Sequence, residues 1–157
     1  MISTAKPGDG DGILRITATA GVFSKEEVDC VAELWDEYLR NGSEKTGYFF
    51  IVMKEEGNVL GYACYGPRAL TDSTYDLYWI AADRNVKRRG VGRALMEQSE
   101  KDVAALGGRL LVVETSGKAE YAPTRAFYEG IGYNKAAVIT DFYADGDDLV
   151  VYSKKLR

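Results

Sequence analysis

The most informative stretch of the chain is residues 77–95, LYWIAADRNVKRRGVGRAL. An apolar segment typical of a buried strand ends at Ala82, a basic loop with two glycines follows, and a helical pattern begins at Val91. Such a loop directs backbone N–H groups and the positive end of the helix dipole toward one point. Cationic side chains in the loop add charge-assisted hydrogen bonds. The stretch therefore predicts a site for a pyrophosphate or a similar anion.

The glycine spacing separates this loop from two other nucleotide-binding motifs. Gly90 and Gly92 let a ligand approach the backbone closely, because neither carries a Cβ. The dinucleotide fingerprint needs a third glycine where Leu95 stands, and the Walker loop needs a G-K-[ST] sequence that is absent here. On spacing alone, a solvated basic start of a helix remains the alternative. The strand before the loop and the helix after it favour the anion site.

Composition restricts the classes of function. The chain has 157 residues, 46% of them hydrophobic and 28% charged, which predicts a folded domain rather than a disordered chain. A net charge of -4 argues against nonspecific nucleic-acid binding. Histidine is absent, which excludes Ser-His-Asp and Cys-His catalysis and imidazole metal sites, so no metal is expected.

Cysteine use and hydropathy predict a cytoplasmic protein. Cys30 and Cys64 both lie in apolar patterns, so free thiols in a reducing compartment are expected rather than a disulfide. We find no apolar stretch long enough to span a bilayer and no signal-peptide pattern at the N-terminus. Neither a membrane nor a nucleic acid is therefore expected as a partner.

Local patterns predict alternating strands and helices. Residues 1–12 are polar and rich in glycine and aspartate, which indicates a loose tail or linker, with a single domain over residues 13–157. Alternating apolar and polar residues predict a strand at 13–19, and a capping box at Ser24 and Glu27 begins a helix that ends near Asn41. Further strands are predicted at residues 48–53, 59–65, 74–82, 110–113, 133–143 and 149–155, and further helices at 91–106 and 123–130.

Two segments together resemble the GCN5-related N-acetyltransferase (GNAT) family. Residues 87–92, KRRGVG, match its [QR]-x-x-G-x-[GA] signature except that Lys87 replaces the usual glutamine or arginine. Residues 126–133, AFYEGIGY, are similar to the family's second conserved segment, and Tyr121 stands where an asparagine is common. Both segments lie on the expected elements, and the resemblance covers about residues 13–157.

The resemblance implies a GNAT-like α/β (α+β) fold with a mixed, mostly antiparallel sheet. Two central parallel strands, here 74–82 and 109–114, would be splayed apart, with helices on both faces and acetyl-CoA in the opening. The pantetheine arm would pair with the strand backbone, and the pyrophosphate would bind the N–H groups of the loop. The implied cofactor-binding residues are Ile80, Ala81, Ala82, Lys87, Arg88, Arg89, Gly90, Val91, Gly92, Arg93 and Tyr121.

The implied reaction moves an acetyl group from acetyl-CoA to a primary amine by direct attack. Tyr128 matches the family's general acid, which protonates the leaving thiolate; its alternative role is an aromatic residue that covers the core. Because histidine is absent, a carboxylate or a water relay must remove the amine proton, and Glu114 is the candidate base. A strand-end carboxylate that satisfies local N–H groups is the alternative for Glu114.

The acceptor is predicted only by class, as an amine-bearing small molecule or peptide. Asp76 and Tyr78 on the strand, and Phe142 and Tyr143 in the terminal hairpin, are the candidate substrate-binding residues. The acidic balance suits a cationic acceptor. A monomer or a homodimer is expected. Two alternative functions stay open: a non-catalytic CoA-binding regulatory domain, and a transferase of another acyl group.

Overall fold

The computed structural model describes residues 1–86 and 89–157. The strands are β1 (Ile2–Thr4), β2 (Phe49–Glu55), β3 (Asn58–Pro67), β4 (Thr74–Ala82), β5 (Leu110–Ser116), β6 (Asn134–Ala144) and β7 (Asp147–Lys155). They form a seven-stranded sheet in the order β1-β2-β3-β4-β5-β7-β6. In this sheet β4 and β5 are parallel, while β1 and β2, β2 and β3, β5 and β7, and β6 and β7 pair antiparallel. The predicted mixed, mostly antiparallel sheet is thus confirmed. The helices are α1 (Gly10–Thr19), α2 (Lys25–Thr46), α3 (Val91–Ala105) and α4 (Ala122–Gly130).

One compact unit consists of Met1–Gly66 and Tyr78–Asp102. Its core contains aromatic residues from α2, β2 and β3, with the ring of Phe50 5.2 Å from that of Trp35 and 6.4 Å from that of Tyr62. The buried Tyr62 hydroxyl lies 2.7 Å from the Thr17 hydroxyl of α1, which satisfies both polar groups. Among the described helices, none is long and apolar enough to cross a membrane.

The prediction of a strand at residues 13–19 is wrong, because this segment belongs to α1. Ile13, Ile16 and Thr17 are all buried, and their spacing places them on one face of a helix. Thr17 also donates a hydrogen bond to the Ile13 carbonyl four residues before it, at 2.8 Å. A seven-residue segment with a short apolar–polar alternation fits both the two-residue period of a strand and the 3.6-residue period of a helix. Packing against α2 and the sheet selects the helix.

The prediction of a loose tail over residues 1–12 is also wrong. Ile2–Thr4 pairs antiparallel with β2, with Ile2 opposite Met53. Asp9 is buried, and its carboxylate accepts from Lys54 at 3.0 Å and from the Lys6 backbone at 2.8 Å. The pairing with β2 and the ion pair with Lys54 join segments 45 or more residues apart, so local composition could not reveal them. The single domain over residues 13–157 stays a prediction.

The start of α2 is as predicted, and its end differs. Ser24 accepts a hydrogen bond from the Glu27 N–H at 3.1 Å, as an N-cap does. Gly42 has φ 74° and ψ 171°, which breaks the helical path, but a further turn continues to Thr46. Gly47, with φ 74°, then ends the helix in the left-handed conformation that favours glycine.

The second compact unit consists of Pro67–Leu77 and Val103–Arg157. Here β5 lies between β4 and β7, with Leu77 opposite Val113 and Glu114 opposite Val151. Leu111 and Tyr152 are fully buried in this unit. The edge strand β6 is exposed along its whole length.

We predict that Gly66→Ala strongly destabilises the first unit. A Cβ at this position would overlap the Gly47 carbonyl oxygen, and a backbone atom cannot move aside as a flexible side chain can. We expect the free energy of unfolding in urea to fall by about 3 kcal/mol, the upper end for overpacking. Gly8→Ala is the matched control, since a Cβ there meets nothing within 4 Å. Equal stability of the two variants would contradict the packing described here.

Candidate functional site

The connection from β4 to α3 is anchored by Asp83. Its backbone N–H donates to the Leu60 carbonyl of β3 at 2.7 Å, and its carboxylate accepts from the Asn85 backbone at 2.9 Å. Arg15 of α1 completes the anchor with a 2.8 Å ion pair, which together with the Asn85 bond lowers the pKa of Asp83. Lys87 and Arg88, both predicted to bind the cofactor, lie outside the described residues. The Asp83 anchor fixes the first half of the predicted anion loop.

The start of α3 lies against β3 because Gly61 has no side chain. A Cβ on Gly61 would be 2.7 Å from Cγ1 of Val91 and 3.0 Å from the Ala81 carbonyl oxygen. The Ala94 N–H donates a helical hydrogen bond to the Gly90 carbonyl at 2.9 Å. Backbone N–H groups in the first turn of a helix have no intrahelical acceptor, so those at residues 91–93 are available to an anion.

Two cationic side chains near this helix start, those of Arg89 and Arg93, pair with carboxylates. Arg89 donates to both oxygens of Glu55, at 2.9 and 3.3 Å, and this contact lowers the pKa of Glu55. Arg93 pairs with Glu97 one turn along α3, at 3.0 Å. Both pairs are about half exposed or more, so phosphate oxygens can replace these carboxylates at small cost. The Arg89 backbone N–H was predicted to bind the pyrophosphate, but it already donates to the Val86 carbonyl at 3.2 Å.

The predicted strand residues lie at the end of β4. Ala81 is buried, whereas Ile80 and Ala82 are partly exposed. Tyr78 is 37% exposed, and its ring contacts that of Tyr48 edge to face with centroids 5.6 Å apart. The aromatic contact fixes the Tyr78 ring at the surface of the first unit.

A three-residue ion network occupies the second unit. Arg68, in the loop after β3, binds both oxygens of Asp76, at 2.7 and 2.8 Å, and one oxygen of Glu114 at 3.1 Å. The two carboxylates raise the pKa of Arg68, with the Asp76 hydrogen bond as the main cause. The predicted residues Asp76 and Glu114 are thus brought together by a third residue that sequence reasoning missed. Arg68 lies in a segment that reads as an ordinary loop, so no local signal identifies it.

Tyr128 lies on α4 in the interior of the second unit. Its ring is 4% exposed and packs against Tyr152 and Tyr133, with centroids 5.8 and 6.0 Å away. Arg125 fixes α4 by donating to the Ser116 and Lys118 carbonyls, both at 2.8 Å. Burial raises the pKa of Tyr128. The ring therefore belongs to the core while the hydroxyl keeps its proton to donate.

The remaining predicted residues lie before α4 and on β6. Tyr121 ends the short 3₁₀ helix Ala119–Tyr121 that leads into α4. Phe142 and Tyr143 are 52% and 48% exposed, with their rings edge to face at 5.1 Å. Across residues 1–86 and 89–157, no group of three or more histidine, cysteine or acidic side chains is arranged to hold a metal ion.

Comparison with known proteins identifies the family of this fold. The family model for the Acetyltransferase (GNAT) family matches residues 16–133. The match includes the β4 to α3 connection, the Arg68 network and Tyr128, so all three features lie within the region that the family shares.

Individual proteins agree with this match. A GNAT-family structure from Desulfovibrio desulfuricans has a TM-score of 0.96 and 42% identity, covering 100% of this chain and 99% of its own. The [Ribosomal protein bS18]-alanine N-acetyltransferase of Escherichia coli K12 is 27% identical over 113 residues, 72% of this chain and 73% of its own length. A Salmonella typhimurium structure with its cofactor acetyl-CoA shares the fold at a TM-score of 0.77 and 19% identity, over 100% of this chain and 94% of its own.

Proposed function

This chain belongs to the GNAT acetyltransferase family, and on that premise we propose that it transfers an acetyl group from acetyl-CoA to a primary amine by direct attack. The observation that carries the proposal is the connection from β4 to α3. It combines first-turn N–H groups at residues 91–93, a glycine at the close approach, and Arg89 and Arg93, whose carboxylate partners are exposed. This combination suits a pyrophosphate.

We assign the cofactor contacts to the first unit. The pyrophosphate binds the N–H groups of residues 90–93, with the guanidinium groups of Arg89 and Arg93 released from their carboxylates. The pantetheine arm pairs with the backbone of Ile80, Ala81 and Ala82. Lys87, Arg88 and Tyr121 stay predicted contacts. The relative solved with acetyl-CoA supports this cofactor for the fold.

We predict that Glu55→Gln tightens CoA binding about 2- to 5-fold, because the ion pair that it removes is exposed and weak. Glu55 competes with phosphate for Arg89, and the neutral amide competes less well. Titration calorimetry with CoA measures the change. Glu56→Gln, at the next position in the same turn, removes an equal charge and is expected to change affinity less. Equal effects of the two variants would contradict the competition.

The chemistry needs one displacement at the thioester carbon, removal of two protons from the amine nitrogen and addition of one proton to sulfur. Glu114 takes a proton from the acceptor ammonium, and the amine nitrogen then attacks the thioester carbonyl carbon. A backbone N–H near Ile80 or Ala81 donates to the oxygen that becomes negative. The carbon–sulfur bond breaks with its electron pair on sulfur, and Tyr128 donates its proton to the thiolate. The acylated nitrogen then loses its second proton, which restores the Tyr128 hydroxyl, and Glu114 releases its proton to water. The products are the acetylated amine and CoA.

We propose an acceptor that is an amine-bearing small molecule or a peptide. The E. coli relative is named as an alanine N-acetyltransferase of ribosomal protein bS18, which supports a peptide amine. Phe142 and Tyr143 supply exposed aromatic surface, and Tyr78 and Asp76 lie on β4. The Asp76 carboxylate already pairs with Arg68, so an ammonium would meet a partly neutralised group.

Thiol release tests the proposed function directly. The protein is mixed with acetyl-CoA and one of four amines: a hexapeptide with N-terminal alanine, kanamycin, spermidine or free lysine. We expect amine-dependent release of CoA thiol and a mass increase of one acetyl group on at least one amine. CoA binding without turnover of any amine would favour a regulatory CoA-binding domain. Faster turnover of propionyl-CoA or succinyl-CoA would indicate another acyl group.

We also propose a cytoplasmic location and a monomeric or homodimeric state. Both cysteines are free thiols, with Cys30 exposed and Cys64 buried, which suits a reducing compartment. Burial and nearby acidic residues raise the pKa of Cys30, so its thiol is protonated near neutral pH. Fractionation of the native cell and sedimentation of the purified protein test these two assignments.

A further inference from the structure

We propose that Arg68 is a positioning residue that presents the Glu114 carboxylate to the acceptor amine, with Asp76 as its anchor. The inference rests on the proposed role of Glu114 as the general base and extends it to a residue that no sequence motif marks. Three observations in the second unit carry it: the direction of the Arg68 hydrogen bonds, the unequal exposure of the two carboxylates and the backbone of the 67–73 loop.

The Arg68 guanidinium binds its two carboxylates unequally. Its Nε and Nη2 atoms bind the two oxygens of Asp76 side by side, which fixes the plane and rotation of the fork. Nη2 then reaches one oxygen of Glu114, Oε1, at 3.1 Å. In the described part of the chain, the second oxygen of Glu114 has no hydrogen-bond partner. That oxygen is available to take a proton.

The two carboxylates that bind Arg68 differ in their exposure to solvent. The Asp76 side chain is 11% exposed, whereas that of Glu114 is 43% exposed. A carboxylate buried beneath a bidentate arginine is poorly placed to meet a substrate, and a half-exposed one can do so. The network therefore points one carboxylate inward and leaves the other accessible.

The loop that carries Arg68 is fixed by hydrogen bonds to the first residue of β4 and within the loop itself. The Arg68 N–H donates to the Thr74 carbonyl, and its carbonyl accepts from the Thr71 hydroxyl, each at 2.8 Å. Leu70 and Ser73 both have φ 64°, a conformation that non-glycine residues rarely adopt and that clusters at functional sites. These constraints fix the backbone position from which the Arg68 side chain extends.

The charges that face Glu114 come from few groups. Arg68 contacts it from the loop, and Asp76 lies on the same face of β4, with Tyr78 two residues further along that strand. The residue opposite on β7 is Val151, flanked on that face by Leu149 and Ser153, which carry no charge. Removing Arg68 therefore leaves the Glu114 carboxylate beside the negative charge of Asp76 alone, and Asp76→Asn leaves it beside the positive charge of Arg68 alone.

Three variants separate positioning from simple structural support. With acetyl-CoA and the fastest of the four amines, Arg68→Met is expected to lower kcat/KM for the amine about 10- to 100-fold while the Kd for CoA stays within 2-fold. Arg68→Lys keeps the charge but loses the planar fork, so it should recover only part of the rate. Asp76→Asn should also lower the rate, because the fork loses its anchor.

The pH dependence of kcat/KM should move in opposite directions in two of these variants. The acid limb of kcat/KM, where Glu114 takes up its proton, should move to higher pH in Arg68→Met and to lower pH in Asp76→Asn. A ¹³C NMR titration of the glutamate carboxyls, with Glu114→Gln to assign the signal, should show the same two shifts without any amine. Arg40→Met, a surface variant on α2, is the control for loss of an arginine and should match the wild type.

The outcomes distinguish two failures. A wild-type protein that acetylates none of the four amines contradicts the proposed function, and this inference falls with it. An active wild type with normal rate and an unmoved acid limb in Arg68→Met contradicts the positioning role alone. Lower melting temperatures in all three variants with unmoved limbs would mean a structural ion pair only.

Discussion

Tyr128→Phe is expected to slow acetyl transfer about 10²- to 10⁴-fold, the range for loss of a general acid. The variant removes one oxygen from a ring that is almost fully buried, so the packing against Tyr133 and Tyr152 is retained. CoA affinity should stay within 2-fold, because the proposed pyrophosphate contacts lie at the start of α3. Stopped assays of thiol release with saturating acetyl-CoA measure the rate.

Tyr152→Phe is the matched control for Tyr128→Phe. It removes a hydroxyl from the neighbouring ring, one that donates to Glu129 at 2.9 Å, and should leave the rate within a few fold. Burial raises the pKa of Tyr128, so the acid keeps its proton to pH values above the ordinary tyrosine value of about 10. Unchanged turnover in Tyr128→Phe would leave Tyr128 as a core aromatic without a catalytic role.

Gly92→Glu is expected to abolish CoA binding, weakening it by at least about 100-fold. The new carboxylate would lie beside the amides proposed to hold the pyrophosphate and would repel it at close range. In the wild type, CoA at 100 times its Kd stabilises by about 2.7 kcal/mol, which raises Tm by roughly 5–10 °C for a chain of this size. That shift should vanish in the variant.

Two features keep this test free of folding artefacts. Glutamate is a better helix former than glycine and is favoured in a first turn, so the Tm of the unliganded variant should not fall. Gly8→Glu adds the same charge in open space and should keep the full CoA shift. A normal shift in Gly92→Glu would place the cofactor elsewhere.

Sequence reasoning predicted the elements that carry strong local signals. The hairpin of β2 and β3, the N-cap at Ser24 and the succession of β4, a basic loop and α3 all follow from short patterns. The resemblance to the GNAT family, carried by residues 87–92 and 126–133, predicted the mixed sheet that the structure shows. Segments with a clear period or cap could therefore be placed without any tertiary information.

The errors share one physical cause, which is that distant residues decide the local structure. Ile2–Thr4 becomes a strand because β2 offers an edge about 50 residues away, and residues 13–19 become a helix because one face packs into a core. Arg68 was missed for the same reason, since its partner Glu114 is 46 residues later.

Amide NMR during a CoA titration tests the anion site most directly. In ¹⁵N-labelled protein, we predict that the largest chemical-shift changes occur at the N–H groups of residues 90–93 and saturate with the Kd found by calorimetry. Dephospho-CoA, which keeps the pyrophosphate, should move the same signals. Saturable binding that leaves these four amides unmoved, or no binding at all, would contradict the pyrophosphate site on which the proposed transferase depends.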